Sequence, residues 1–342
     1  MLGPELEFFV VNERTLKPWD GMGVLARHPL FGEAIKPEIA REQVELVAPP
    51  TWSLGEMERF LTDLVHEVGA LLKAEGACLL PLALYDTAPF TITEAPRYRL
   101  LLDVFGEHFW THARAIVADQ VNVGAADEAQ AFRVFEAVTH YLPLYMAISV
   151  ASPFLGGRPT GVASNRMALY DACASRYPEL VGLPPPIASL RHYNLLLERQ
   201  PVLHHPNMFY RYARPMPQRG VAAEIRCIDK QPTLRDFMAL VALSKAIAGE
   251  ATASDRLYSR DGLEIRFAEA RRRGVTRPAA CKRTLDRLRA FLDEGEQVYF
   301  DPLYERLLYG SAASVLQKRA REQGYDAALR HLAAHYLDPA AS

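Results

Sequence analysis

Apolar and polar residues alternate in four short stretches within the first two thirds of the chain. This pattern predicts strands over 6–11, 44–47, 118–124 and 222–228. Four longer stretches carry apolar residues at three- and four-residue spacing, which predicts helices over 53–75, 129–151, 163–176 and 233–253. The first of these helices begins with a Ser53 and Glu56 pair that is typical of a capping box.

The last third of the chain has helical periodicity only. Helices are predicted over 263–273, 277–294, 302–308, 312–323 and 327–336. Strands spread over the first two thirds, followed by a helical C-terminal third, predict an α+β fold. Because no linker, low-complexity tract or internal repeat divides the sequence, we interpret residues 1–342 as a single domain whose helical part begins at about 255.

Composition narrows the class of protein. Of the 342 residues, 49% are hydrophobic and 23% are charged, and the mean hydropathy is -0.07, which excludes intrinsic disorder. The net charge of -2 provides no overall field that would attract nucleic acid or an anionic membrane, so neither is expected as a partner. The longest uncharged run, 141–157, contains Pro143 and Pro153 and is too short and broken for a membrane span.

The cysteines and the N-terminus favour a cytoplasmic location. The four cysteines are scattered without C-x-x-C or metal-binding spacing, as expected of free thiols in a reducing compartment. The chain starts without the basic and apolar regions of a secretion signal. Cys227 alternates with Arg226 and is therefore predicted to point into the core rather than to act as a nucleophile.

Each predicted strand places a polar pair on one face, because side chains at i and i+2 share a face. The pairs are Glu5 with Glu7, Gln43 with Glu45, Gln120 with Asn122, and Glu224 with Arg226. Any single pair is compatible with an ordinary strand that faces water. Four together, rich in Glu and without Lys or Thr, favour one shared site.

Crowded carboxylates repel one another unless a cation neutralises them. Hard divalent ions with oxygen ligands do so, and Mg²⁺ commonly bridges to phosphate oxygens. The polar pairs therefore predict a metal–nucleotide site on a sheet, without specifying the reaction.

Several segments resemble one known family in order along the chain. Residues 3–8, G-P-E-L-E-F, resemble the G-x-E-x-E-F opening of the carboxylate–amine ligases related to the second type of glutamate–cysteine ligase. Residues 42–45 with the prolines at 49 and 50 resemble the family's second strand, and 92–98 resemble its I-T-x-x-P-R-Y segment. Residues 152–166 are similar to S-P-F-x-x-G-R-x-T-G-x-x-S-x-R, and 224–232 to E-x-R-x-x-D-x-Q-P.

The resemblance implies a glutamine-synthetase-like fold, a curved and mainly antiparallel sheet with helices outside. It implies ATP-dependent amide formation, in which a carboxylate, typically the γ-carboxylate of glutamate, is phosphorylated and then captured by an amine. ATP and Mg²⁺ are the implied cofactors, and homo-oligomerisation is expected. The implied site residues are the metal ligands Glu5, Glu7, Glu45 and Glu224, the catalytic residues Arg226 and Arg166, and the substrate or nucleotide contacts Arg97, Gln120, Asn122 and Arg158.

The third strand departs from the family pattern. Gln120 and Asn122 stand where the family has the two histidines of H-V-H-V-G. Amide oxygens can coordinate Mg²⁺ or contact a nucleotide, but the ligand set and the acceptor amine are left open. Two alternatives therefore remain, a phosphotransferase on the same fold and a non-catalytic protein that binds a nucleotide or an amino acid.

The glycine-rich segment 156–161 has two interpretations. It precedes a predicted helix and could hold a phosphate at the helix N-terminus. Because it lacks the spacing of a P-loop, a simple turn is favoured.

Overall fold

A computed structural model describes residues 1–86, 90–199, 211–254 and 256–338. Within these ranges the chain forms a seven-stranded antiparallel sheet in the order β2-β3-β1-β5-β9-β8, with β4 paired to β1. These strands are β1 (Leu2–Asn12), β2 (Ile35–Pro37), β3 (Gln43–Val47), β4 (Ala77–Leu80), β5 (Asp119–Gly124), β8 (Ala213–Met216) and β9 (Val221–Ile225). A separate hairpin consists of β6 (Phe154–Leu155) and β7 (Arg158–Pro159).

The strand register brings the predicted polar pairs onto one face. Glu7 lies opposite Glu45, Glu5 opposite Gln120, and Asn122 opposite Glu224. The alternate residues of the same strands, such as Leu6, Val121 and Ile225, are fully buried on the other face. The predicted face with its polar pairs is thus confirmed by strand pairing.

Thirteen helices in the described ranges surround the sheet. They are α1 (Met22–Leu25), α2 (Leu54–Ala74), α3 (Pro96–Phe105), α4 (Glu107–Ala113), α5 (Glu128–Ser149), α6 (Arg166–Cys173), α7 (Leu190–Glu198), α8 (Leu234–Ala253), α9 (Leu263–Arg273), α10 (Pro278–Arg289), α11 (Asp301–Tyr309), α12 (Ala312–Gln323) and α13 (Tyr325–Ala334). The long helices begin at side-chain caps. Ser53 accepts a hydrogen bond from the Glu56 amide, Asp127 from the Gln130 amide, and Thr233 from the Asp236 amide.

The helices lie on both faces of the sheet. Helices α2, α5 and α8 pack against the apolar face, and α8 is buried almost all round. Helices α3, α4 and α6 stand beside the polar face. The α+β architecture with its helical C-terminal third is therefore as predicted, and the part of the chain that the structure describes has no helix long and apolar enough to cross a membrane.

Several boundaries differ from the prediction because short or partly buried segments carry little periodicity. Strands β2, β4 and β8 and helices α3 and α4 were not predicted. The fourth predicted strand ends at Ile225 instead of 228, so Arg226 and Cys227 follow it. The predicted helix 163–176 is limited to Arg166–Cys173, because the hairpin and its return loop occupy the preceding residues.

Helices α12 and α13 cover a second apolar cluster beside β4. On β1 the face that carries Glu5 and Glu7 continues as Phe9 and Val11, and these two side chains are fully buried with Leu329 of α13. The polar face of β1 therefore ends at Glu7, where the C-terminal helices begin to cover the strand.

Candidate active site

The polar face of the sheet lines a cavity of about 950 Å³, here called the polar cavity. Helices α3 and α4 supply an apolar wall that includes Leu101 and Phe109. The charged lining consists of the carboxylates Glu5, Glu7, Glu38, Glu45 and Glu224 and the cationic side chains Lys36, Arg97, Arg166, Arg214, Arg219 and Arg226. A cavity of this size with charges of both signs is suited to a polar substrate rather than to an apolar one.

Three carboxylates meet at one end of the polar cavity. Glu7, Glu38 and Glu45 each offer an oxygen atom, and these atoms all lie within 4.8 Å of one another. Glu7 and Glu45 are cross-strand neighbours on β1 and β3, whereas Glu38 directly follows β2. The Lys36 ammonium donates to Glu45 Oε1 at 3.1 Å and balances one of the charges.

Burial and mutual repulsion disfavour the charged forms of Glu5, Glu7 and Glu38. Burial raises the pKa of Glu7 to about 7; the Arg166 charge opposes this shift and the Glu45 charge adds to it. Burial, with the charges of Glu45 and Glu224, raises the pKa of Glu5 to about 8. Burial together with Glu7 and Glu45 also raises the pKa of Glu38 well above its usual range. A divalent cation would relieve this repulsion, so the oxygen donors fit a hard metal ion.

The two amides in the positions of the family histidines hold carboxylates in place. Gln120 Nε2 donates to Glu7 Oε1 at 2.5 Å, and Asn122 Nδ2 donates to Glu5 Oε1 at 2.9 Å. Gln120 Oε1 in turn accepts from Arg226 Nη1 at 3.1 Å. Asn122 Oδ1 is buried and has no hydrogen-bond partner among the described residues. Gln120 thus links the acidic end of the cavity to Arg226.

Glu224 lies between two arginines. Arg226 Nη1 donates to Glu224 Oε1 at 3.0 Å and Arg214 Nη2 donates to the same oxygen at 3.1 Å, while Arg214 Nε donates to Oε2. Burial alone would raise the pKa of Glu224, but the two guanidinium groups outweigh it and lower the pKa to about 2. Glu224 is therefore ionised, and both of its oxygen atoms accept hydrogen bonds from arginine.

Arg166, at the start of α6, is almost completely buried beside Arg226. Its Nη2 donates to the Arg226 backbone oxygen at 3.1 Å, and its Nη1 lies 3.9 Å from Asp229 Oδ1. Its Nε is buried without a hydrogen-bond partner in the described ranges. Asp229 also accepts hydrogen bonds from the hydroxyls of Ser152 and Ser164. These bonds connect segment 152–166, which resembles the family motif, to the residues that follow β9.

Two further predicted residues lie at or beyond the edge of the cavity. Arg97 is at the rim with its side chain 62% exposed, and its guanidinium stacks over the Tyr98 ring at 4.3 Å. Arg158 is exposed on the β6–β7 hairpin and does not line the polar cavity. The glycine-rich segment beside it forms the hairpin turn, where the Gly156 amide donates to the Asp86 carboxylate at 2.9 Å. The turn interpretation is confirmed, and the structure does not bring Arg158 to the other site residues.

Sequence reasoning missed Glu38 and Arg214. Glu38 follows a strand of three residues that ends in Pro37, which is too short for alternation to be visible. Arg214 lies on β8, directly opposite Glu224, in a strand that also contains Pro215. Only the pairing of β8 with β9 would have identified its partner. Cys227 is fully buried and burial raises the pKa of its thiol to about 12, which confirms it as a core residue.

Comparison with known proteins agrees with the motifs. Similar curated proteins include "Putative glutamate--cysteine ligase 2" of Gloeobacter violaceus, 29% identical over 278 residues that cover 78% of this chain and 71% of the relative. The protein of that name from Mycobacterium ulcerans is 30% identical over 255 residues, covering 71% of this chain and 61% of the relative.

Two solved structures share the fold. The glutamate–cysteine ligase of Francisella tularensis in complex with AMP superimposes with a TM-score of 0.73 at 13% identity, covering 98% of this chain and 87% of the other. A bifunctional glutathione synthetase from Pasteurella multocida gives a TM-score of 0.67 at 18% identity, covering 98% and 52%. The family model of glutamate-cysteine ligase family 2 matches residues 1–338, and the chain belongs to this family.

Proposed function

We propose that this protein is an ATP- and Mg²⁺-dependent ligase that joins the carboxylate of glutamate or a related amino acid to an amine. One observation carries the proposal: the close-set carboxylates Glu7, Glu38 and Glu45 line a single cavity together with Arg214 of β8 and Arg226, which directly follows β9. Membership of the family and the names of its relatives support a carboxylate–amine ligase with glutamate as the carboxylate substrate.

The residues present fit Mg²⁺. Glu7, Glu38 and Glu45 would hold it, because they supply oxygen ligands at close range, and Glu5 would add charge beside them. Bound Mg²⁺ supplies charge neutralisation for phosphate oxygens and orients them. Glu224, which the family resemblance implied as a metal ligand, is instead proposed to hold Arg214 and Arg226, since both of its oxygen atoms accept from guanidinium groups.

The AMP complex of the Francisella tularensis structure supports ATP as the nucleotide. We assign Arg226 to the negative charge that develops on the transferred phosphoryl group, because phosphoryl transfer depends mainly on positioning and charge stabilisation. Arg166 would position Arg226 through its hydrogen bond to the Arg226 backbone oxygen. Gln120 would fix the position of Arg226 relative to Glu7, because it hydrogen-bonds to both side chains.

The proposed reaction has two steps. A carboxylate oxygen of the substrate attacks the γ-phosphorus of ATP, and the bond to the β-phosphate oxygen breaks to release ADP. The amine then attacks the carbonyl carbon of the acyl phosphate, inorganic phosphate leaves with the electron pair of the C–O bond, and the amine loses a proton. The product is an amide, and one ATP is converted to ADP and phosphate for each bond formed.

The decisive experiment measures phosphate release with ATP, Mg²⁺ and pooled amino acids and amines, followed by mass detection of the adduct. We expect phosphate release that depends on both a carboxylate and an amine, with the amide as product. Glu45→Gln should abolish Mg²⁺-dependent turnover, whereas Glu264→Gln, an exposed change on α9, should not. Full activity in Glu45→Gln would contradict the proposed metal site.

Phosphate release and mass detection, together with calorimetry, separate the alternatives. A phosphotransferase would form ADP and a phosphorylated acceptor without an amide. A non-catalytic protein would bind nucleotide or amino acid in a calorimeter while releasing no phosphate with any amine.

A further inference from the structure

A second cavity, of about 410 Å³, lies among the C-terminal helices and is here called the C-terminal cavity. Its lining comes from the residues after β4 and after α5, the segment between β9 and α8, the start of α8, and helices α11, α12 and α13. No residue lines both this cavity and the polar cavity. Any ligand bound here would therefore occupy a site separate from the one proposed for the reaction.

Two buried nitrogen atoms of the lining residues have unused hydrogen-bonding capacity. Arg306 has a side chain only 10% exposed; its Nη2 pairs with Asp236 Oδ1 at 2.9 Å, but its Nη1 has no hydrogen-bond partner in the described part of the chain. His331 Nε2 is likewise buried without a partner among those residues. Unpaired buried polar atoms are rare in folded proteins and call for an explanation.

Cationic side chains outnumber acidic ones around the C-terminal cavity. Lys230, Arg235, Arg306 and Arg319 line it, against Asp236 and Glu305. Arg235 pairs with Glu305, Arg306 with Asp236, and Lys230 with Asp119 outside the lining. Arg319 has no ion pair with any residue in the described ranges, so a positive charge remains on the wall.

The rest of the lining is apolar. Leu82, Val315, Leu316 and Leu332 lie around the same space. Pockets that bind small organic molecules have this composition, with mostly apolar walls and a few polar groups that fix the orientation of the ligand.

We propose that the C-terminal cavity binds a small organic oxyanion, that is, a carboxylate or phosphate group attached to an apolar body. The oxyanion accepts hydrogen bonds from the unused donors of Arg306 and His331, the latter in its Nε2–H tautomer, and is attracted by Arg319. The apolar body contacts the leucine and valine side chains. Charge-assisted hydrogen bonds of this kind are stronger than neutral ones, which gives the site its selectivity for anions.

The test uses four probes that share a phenyl body. Isothermal calorimetry compares 3-phenylpropionate and phenethyl phosphate with 3-phenylpropan-1-ol and 3-phenylpropylamine. We expect saturable binding of at least one oxyanion, and binding of the alcohol and the amine weaker by about tenfold or more. The carboxylate and phosphate arms identify the preferred headgroup.

Variants assign the binding to this cavity. Leu332→Trp, which fills the cavity, should abolish oxyanion binding, and Arg319→Gln should weaken it about tenfold. The matched control is Leu101→Trp, which narrows the polar cavity and should leave this binding unchanged. If circular dichroism shows that Leu332→Trp does not fold, the binding measurement on Arg319→Gln tests the proposal instead, because Arg319 is only half-buried.

Three results would overturn the proposal. They are no saturable binding of either oxyanion up to about 10 mM, equal binding of the alcohol, and oxyanion binding that Arg319→Gln leaves unchanged. Because the readout is binding without ATP turnover, failure here is distinct from failure of the proposed ligase activity.

Discussion

Glu38 joins the carboxylates that we propose to bind Mg²⁺ from outside the regular strands, since it directly follows β2. Its pKa is raised by burial and by the charges of Glu7 and Glu45, which shows how closely the three groups interact. Glu38 would supply one of the three carboxylate ligands proposed for Mg²⁺. Its contribution to Mg²⁺ binding can be measured with a substitution that keeps the size of the side chain.

We predict that Glu38→Gln raises the Mg²⁺ concentration for half-maximal ATP turnover about tenfold or more, because one charged ligand becomes a neutral amide. A Mg²⁺ titration of phosphate release measures this change. Glu33→Gln, an exposed change five residues earlier, serves as the matched control. An unchanged Mg²⁺ dependence in Glu38→Gln would remove this residue from the metal site.

Glu5 predicts a pH dependence of stability. Its pKa is about 4.5 when unfolded and about 8 in the folded protein, so the folded state holds the extra proton between these values. The free energy of unfolding therefore contains a Glu5 contribution that falls as pH rises from about 5 to 8. Mg²⁺ binding favours the ionised carboxylates, so the stabilisation by Mg²⁺ should be larger at pH 8 than at pH 6.

Urea unfolding at several pH values, with and without Mg²⁺, checks this prediction. The Glu5→Gln variant cannot lose the proton, so the difference in unfolding free energy between the two proteins isolates the Glu5 contribution. A protein that loses no stability relative to Glu5→Gln as pH rises from 5 to 8 would show that Glu5 is already ionised at low pH.

At the scale of elements, helix α13 is held by the second apolar cluster. Leu329 is 1% exposed and is buried with Phe9 and Val11 of β1. This contact covers β1 where its polar face ends. The helix is thus a part of the core rather than an appendage.

We predict that Leu329→Ala lowers the free energy of unfolding by about 2–5 kcal/mol, because it removes buried methyl groups and leaves a cavity. Leu308→Ala on α11, where the side chain is 75% exposed, should change it by less than about 0.5 kcal/mol. Urea denaturation followed by circular dichroism compares the two. Equal effects would mean that α13 does not share the core.

For the whole molecule, one apolar core connects the first strand with the end of the chain. The core cluster contains Leu2 and Tyr336, and the buried Lys230 ammonium donates both to Asp119 of β5 and to the Tyr336 hydroxyl. The Lys230 ammonium also lies over the ring of Phe8 on β1, 3.7 Å from its centroid. Lys230 thus contacts β1, β5 and the residue Tyr336 near the end of the chain. These contacts join the end of the chain to the sheet.

This packing predicts a single cooperative unfolding transition. The three tryptophans, Trp19, Trp52 and Trp110, all lie in the first third, whereas far-ultraviolet circular dichroism follows helices along the whole chain. Fluorescence and circular dichroism should give coincident urea curves. A helical signal that persists after the fluorescence transition would divide the chain into two domains near residue 255.

How much of the site was predictable depended on the range of the interaction. Glu5 and Glu7, or Gln120 and Asn122, share a face because strand pleating alone fixes the direction of alternate side chains, and this is visible in the sequence. Helix starts at Ser53 and Thr233 were equally local. Glu38 and Arg214 were not visible, since each comes to the site through a strand too short or too irregular to show alternation.

The sequence by itself thus determined which side chains share a face, where the long helices begin, and the α+β class, because these depend on neighbours a few residues apart. Only the tertiary structure decided that Glu7 meets Glu38 and Glu45, that Glu224 belongs to arginines, and that Arg158 lies outside the cavity. The physical reason is that strand pairing joins residues far apart in the sequence, 38 positions for Glu7 with Glu45 and 115 for Glu5 with Gln120. Periodicity carries no information on which strands become neighbours.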